Sequence, residues 1–256
     1  MSIIDAFRLD GKVAFVTGSN TGLGQGMALG FAQAGADVAG LTSSADDGGT
    51  AAAVEALGRR YHHLNVDLLE ATDEELSALP QQVADALGRL DILLNNAGII
   101  RRTPALDHAV DDWDAVLALN LRVPFILSQA AARLMMAQGG GKVINIASML
   151  SYQGGITVPG YTASKHGIAG ITKALANEWA EHHINVNAIA PGYMATNNTA
   201  ALRADPTRNE AILARIPAGE WGTPKSLQGA AVFLASAASD YVHGAVLNVD
   251  GGWLAR

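Results

Sequence analysis

Two side chains set the chemistry open to this sequence. Tyr161 and Lys165 stand four residues apart in a helical stretch, so they share one helix face about one turn apart. A phenol with an ordinary pKa near ~10 moves protons poorly at neutral pH. A neighbouring ammonium favours the phenolate, so the pair can act as general acid or base. Tyr61, Tyr152, Tyr193 and Tyr241 have no lysine at that offset. Ser148 closes the apolar run 143–147, where a hydroxyl either caps the following loop or hydrogen-bonds a substrate carbonyl or alkoxide. Asn120 interrupts an apolar helical stretch, and its amide is either a buried brace for backbone or part of the site.

A second group suits an anionic ligand. Residues 17–24 read Thr-Gly-Ser-Asn-Thr-Gly-Leu-Gly, between an apolar run and an Ala-rich stretch. A phosphate needs backbone N–H donors and the positive end of a helix dipole. Glycine lets the backbone come close to it. Strand, glycine turn and helix in that order predict a pyrophosphate site at Gly18, Asn20, Gly22, Leu23 and Gly24. The spacing is G-x-x-x-G-x-G, not the commoner G-x-G-x-x-G.

Elements that could position these groups follow from the pattern. Strands are expected at 13–17, 37–42, 61–66, 90–94, 142–147, 184–189 and 245–249. Helices are expected at 23–34, 49–57, 73–87, 111–137, 161–182, 199–215 and 224–235. The strands are apolar on both parities, as when helices cover both faces of a sheet. Alternation of strand and helix implies crossover connections and a parallel sheet. The expected fold is α/β, one doubly wound, Rossmann-type domain over residues 1–256 with a seven-stranded parallel sheet. An α/β barrel would need eight units.

Composition excludes several classes. With 256 residues and 49% apolar side chains, the chain can bury a large core. Its 17 basic against 24 acidic residues leave a net charge of −7, which argues against nucleic acid or an anionic membrane as partner. The absence of cysteine removes disulfides, thiolate nucleophiles and Cys-ligated metal. His62-His63 and His182-His183 are chain neighbours and do not converge as i, i+4 pairs do, so no metal site is expected. Charges near the N-terminus break any signal-peptide core. Asn120, Arg122, Gln129 and Arg133 interrupt the apolar stretch 116–136, so no membrane span and a cytoplasmic protein are expected.

Taken in order, these motifs resemble the short-chain dehydrogenase/reductase family over residues 9–253. Asn95-Asn96-Ala97-Gly98 follows the fourth strand, and the resemblance implies that it lies over the adenine side of a cofactor and braces the sheet. It also implies that Asp67, with Leu68, meets the adenine ring. Pro191, Met194 and Thr196 would hold the nicotinamide amide. Asn120 would support a water linked to Lys165, and Lys165 would bond the nicotinamide ribose. The implied reaction is hydride exchange between a nicotinamide cofactor and a secondary alcohol or ketone, with Tyr161 as proton-transfer group and Ser148 on the reacting oxygen. A homotetramer is implied as well.

The second strand is followed by Ser43 and Ser44, with Asp46 and Asp47 slightly later and no Lys or Arg to hold a 2′-phosphate. NAD is therefore expected, with NADP left open. Residues 99–102, 194–199 and 216–224 resemble the sugar-acid branch of the family. The implied small-molecule substrate is of the 2-dehydro-3-deoxy-D-gluconate or 2-deoxy-D-gluconate/gluconate type. Arg101, more than its neighbour Arg102, would hold the carboxylate, and Asn198 a hydroxyl. The alternative for both arginines is a solvated pair or ion pairs with Asp107 and Asp111. Trp253 is expected in a core or subunit contact. Two other readings stay open: the same chemistry on a 3-oxoacyl thioester, or a dinucleotide-binding sensor without turnover. A sensor would not need Asn120, Ser148, Tyr161 and Lys165 together.

Overall fold

The computed structural model describes residues 2–256. The seven strands are β1 (Val13–Thr17), β2 (Asp37–Thr42), β3 (Tyr61–Asn65), β4 (Ile92–Asn95), β5 (Gly141–Ile146), β6 (Ile184–Pro191) and β7 (Val246–Val249). They form one sheet in the order β3-β2-β1-β4-β5-β6-β7, with every pairing parallel. Strand order reverses between β1 and β4, which opens a crevice at their carboxyl ends.

Helices cover both faces. On one side α3 (Asp73–Leu87) and α5 (Val123–Gln138) set Leu76, Leu79, Val83 and Leu127 against Phe15, Leu93 and Val143. On the other, α1 (Gly22–Ala34) and α9 (Gln228–Ala235) set Met27, Phe31, Ala231 and Leu234 against Val16, Ile92 and Ile144. All five residues of β1 and all eight of β6 are buried, which is why these strands show no alternation. The remaining helices are α2 (Thr50–Glu55), α4 (Val110–Leu117), α6 (Pro159–Trp179), α7 (Ala200–Ala204) and α8 (Pro206–Leu213).

Two expected helices are broken for physical reasons. The stretch expected at 111–137 carries a π-turn, Ala118–Arg122, closed by the Val123 N–H on the Ala118 carbonyl. That extra residue lies beside Asn120, and such turns often sit at functional sites. The stretch expected at 199–215 splits at Pro206, which cannot continue the α7 hydrogen-bond ladder. Asp205 accepts from the Arg208 N–H and starts α8 afresh. The helical run 110–138 has the length and composition of a membrane span, but 56% of its most apolar window is buried inside the protein.

Candidate active site

The crevice at the strand tips is a cavity of about 960 Å³. Its floor is the turn from β1 into α1. Gly18 has φ +66° and Gly22 φ +55°, conformations that favour glycine. Gly24 lies so close to the turn that a Cβ would run into the Gly18 carbonyl and the Asn96 amide. Thr21, the N-cap of α1, makes no side-chain cap bond, so the first N–H groups of the helix have no capping side chain. Gly18, Asn20, Gly22, Leu23 and Gly24 all line the cavity. This cradle fits a pyrophosphate.

The NNAG run divides its labour. Asn95 ends β4 and turns into the sheet, where Nδ2 donates to Asn145 Oδ1 at 2.8 Å and Ser128 Oγ at 3.0 Å. It braces strands and does not line the cavity. Asn96 turns the other way: its Nδ2 donates to the carbonyls of Thr17 at 2.9 Å and Gly18 at 3.1 Å. Thr17 Oγ1 accepts from the Asn96 and Ala97 N–H groups, both at 3.0 Å. Asn96, expected only as part of the run over the cofactor, is the residue that clamps the glycine turn. Ala97 and Gly98 line the cavity beside it.

Tyr161 and Lys165 sit on one face of α6, with Lys165 Nζ 5.5 Å from the Tyr161 ring centroid. The pair faces the same cavity as Ser148. Burial pushes the Tyr161 phenol above its usual pKa, while the Ser148 hydroxyl and the Arg102 guanidinium pull it down. Lys165 is buried, 5% exposed, and desolvation lowers it to about 8. Its Nζ donates to the Ile146 carbonyl at 2.6 Å. Near pH 7 the ammonium is still mostly protonated, so its positive charge remains beside the phenol. His166, the next residue, is exposed and turns its Nδ1 to the Thr162 carbonyl.

Asn120 lies behind this pair, not in the cavity wall. From the π-turn its Oδ1 accepts from Ile99 N–H at 2.9 Å, and its Nδ2 donates to Ile99 C=O at 2.9 Å and Ser164 Oγ at 3.2 Å. It ties the loop after β4 to α6. Pro191, Met194 and Thr196 line the cavity after β6.

Several further expected positions differ from the sequence reading. Arg101 turns out of the cavity and pairs with Asp112 at 3.2 Å, not with Asp107 or Asp111. Arg102 lines the wall instead, with Nη2 near the Asn198 carbonyl at 3.4 Å, and Asn198 lines the wall beside it. Of these two chain neighbours, only Arg102 faces inward. Asp67 lies outside the cavity wall, and its Oδ1 accepts the Leu69 N–H. The Leu68 side chain is buried in the core beneath. The Asp46 and Asp47 carboxylates are taken up by the N–H groups of Gly48, Gly49 and Ala51 in their own loop. Trp253 is buried, as expected of a core aromatic, yet also lines the cavity.

Charge in the cavity opposes that of the whole chain. Lys165, Arg102, Arg208 and Arg215 line it, and no Asp or Glu does so among the described residues. In a protein of net charge −7, this concentrates positive potential where an anion would bind. No group of three His, Asp or Glu with metal-binding geometry occurs among the described residues.

Comparisons with known proteins agree with this geometry. Residues 18–254 match the family described as Enoyl-(Acyl carrier protein) reductase. The chain is 59% identical to 2-dehydro-3-deoxy-D-gluconate 5-dehydrogenase of Escherichia coli (strain K12), over 99% of this chain and 100% of that protein. A gluconate 5-dehydrogenase from Burkholderia cenocepacia J2315, solved with NADP and tartrate, superposes with TM-score 0.94 at 39% identity, covering 100% of both chains. A short-chain type dehydrogenase/reductase from Mycobacterium marinum superposes with TM-score 0.93 at 34% identity, also covering 100% of both chains. The glycine cradle, the Tyr161–Lys165 face and these full-length likenesses lead to one conclusion: the chain belongs to the short-chain dehydrogenase/reductase family.

Proposed function

We propose that the protein exchanges a hydride between a nicotinamide dinucleotide and a secondary alcohol or ketone of a small sugar acid. The substrate is of the 2-dehydro-3-deoxy-D-gluconate or 2-deoxy-D-gluconate/gluconate type. The observation that carries this reading is a cavity holding Tyr161, Ser148 and Lys165, lined by three arginines and, among the described residues, by no acid. The likeness to the E. coli dehydrogenase supports the sugar-acid substrate.

The bound nicotinamide supplies the hydride acceptor or donor. The protein's own groups handle the proton. In oxidation Tyr161 Oη, as phenolate, takes the hydroxyl proton of the substrate, and in reduction it returns one. Ser148 Oγ holds the reacting oxygen through a hydrogen bond. The Lys165 ammonium and the Arg102 guanidinium favour the phenolate that burial disfavours. The turn at Gly18–Gly24 would hold the pyrophosphate, and Pro191, Met194 and Thr196 the nicotinamide end. Lys165 would reach the ribose, and Asp67 with the Leu68 backbone, beyond the lined wall, would meet the adenine. Asn120 serves as a positioning residue for Ile99 and α6, and a water at its amide would link Lys165 to solvent.

The sequence favoured NAD because Asp46 and Asp47 follow β2. Their carboxylates are turned to the backbone N–H groups of their own loop and neither residue lines the cavity, so neither is aimed at a 2′-phosphate. Either NAD or NADP therefore suits this end, and the Burkholderia relative was solved with NADP. We further place the enzyme in the cytoplasm, where nicotinamide cofactor pools reside. We read it as a homotetramer, supported by the exposed apolar groove of Leu117, Leu121, Phe125 and Ile171; sedimentation at working concentration tests this.

The function is tested by following nicotinamide absorbance with a panel of sugar acids and both cofactors. Turnover of at least one gluconate-type acid is expected. Turnover confined to 3-oxoacyl thioesters, or none with any carbonyl, would refute the reading.

A further inference from the structure

We propose that Arg215 is the residue that receives the substrate's carboxylate, a specificity determinant in the cavity wall. It is set apart from Tyr161, on whose phenol Arg102 and not Arg215 acts. The proposal rests on the sugar-acid reading and deepens it.

Three arginines line the cavity, and their surroundings suit them to different tasks. Arg102 is close enough to Tyr161 for its charge to favour the phenolate. A sugar acid reacting at C5 carries its carboxylate at C1, the far end of the carbon chain. A cation beside Tyr161 is placed for the reacting oxygen, not for that carboxylate. Arg208 and Arg215 are both exposed, but no side-chain bond fixes the Arg208 guanidinium among the described residues.

Arg215 is held. Its guanidinium carbon lies 4.0 Å over the Trp253 ring, and Nη2 donates to Gln153 Oε1 at 3.3 Å. Trp253 is only 4% exposed, so the platform is rigid. Trp253 meets Tyr193 edge-on at 4.8 Å, and Tyr193 meets Trp221 edge-on at 5.4 Å. Trp221 Nε1 donates to Asn209 Oδ1 at 2.8 Å, which anchors the stack on α8. Stacking fixes the plane of the guanidinium and leaves N–H groups for a bidentate carboxylate. Arg215 has no Asp or Glu partner among the described residues, unlike Arg101. A guanidinium preorganised in a cavity without a carboxylate of its own is a receptor for one.

The test compares a sugar acid that the wild type turns over with the primary amide of the same acid, which keeps the shape and loses the charge. In Arg215→Ala, KM for the acid is expected to rise about 10- to 100-fold, as for loss of a charged hydrogen-bonded contact. The kcat should change less than about threefold, KM for the amide should stay put, and cofactor affinity should be unaltered. Arg215→Lys should recover part of the acid affinity through its charge. In Arg102→Ala the loss should appear in kcat and in the pH profile. An unchanged KM for the acid in Arg215→Ala would overturn the proposal. So would an equal rise for acid and amide, which would mark a packing role on Trp253. A wild type inactive on every sugar acid would overturn the substrate reading before any variant was made.

Discussion

Asn120→Ala separates a positioning role from a reacting one, and its size can be worked from the bonds. The wild-type amide satisfies both the N–H and the C=O of Ile99 at 2.9 Å and donates to Ser164 Oγ. Ser164 keeps its bond to the Tyr161 carbonyl at 2.8 Å, so it is not orphaned by the change. The two Ile99 groups are. Each buried unsatisfied group costs about 1–3 kcal/mol, and Ile99 is half-buried, so the lower half of that range applies to each. The sum is roughly 2–4 kcal/mol. In a chain of this size each kcal/mol lowers Tm by about 2–4 °C, so a fall of about 5–15 °C is expected by calorimetry. Because the loop after β4 also carries Arg102, kcat should fall while cofactor affinity holds. A variant melting within about 1 °C of wild type would refute this reasoning, since the Ile99 bonds would then carry no weight.

Three further outcomes follow from the geometry. Gly24→Ala should weaken cofactor binding in a fluorescence titration, because overpacking against the Gly18 carbonyl costs about 1–3 kcal/mol. Arg101→Ala should leave KM for sugar acids unchanged in steady-state kinetics, since its partner is the exposed Asp112. Lys165 has a folded pKa of about 8, below its unfolded value of 10.5. The folded state thus binds fewer protons between those values, and this group adds stability as pH rises through that window. Lys165→Met should flatten that rise in pH-dependent melts, raise Tm of the cofactor-free protein at pH 7, and abolish turnover.

Much of this was legible from residue types, and what escaped did so for definite reasons. Strands β1 and β2 fall where the apolar runs place them, because a doubly covered strand is apolar on both parities. The Tyr161–Lys165 pair was visible because helical spacing fixes which residues share a face. Choices between chain neighbours were not visible. Asn95 and Asn96, and likewise Arg101 and Arg102, are chain neighbours with opposite placements, fixed by partners that meet them only in the fold, such as Asn145 and Asp112. Pro206 carries a signal for the break between α7 and α8, set in a stretch that is otherwise helical in character. Asn120 stands out within an apolar helical stretch, but periodicity does not distinguish a π-turn there, and the turn packs against α6. Arg215, Gln153 and Trp253 come from three separate segments and meet only in the folded chain.

Tyr161→Phe reaches the centre of the account, because it removes one oxygen and keeps the ring beside Lys165. Single-turnover and steady-state rates on a sugar acid, read together with cofactor affinity, should show kcat down by about 10²–10⁴-fold with cofactor binding essentially intact. A variant retaining near wild-type kcat would contradict the assignment of Tyr161 as the proton-transfer group.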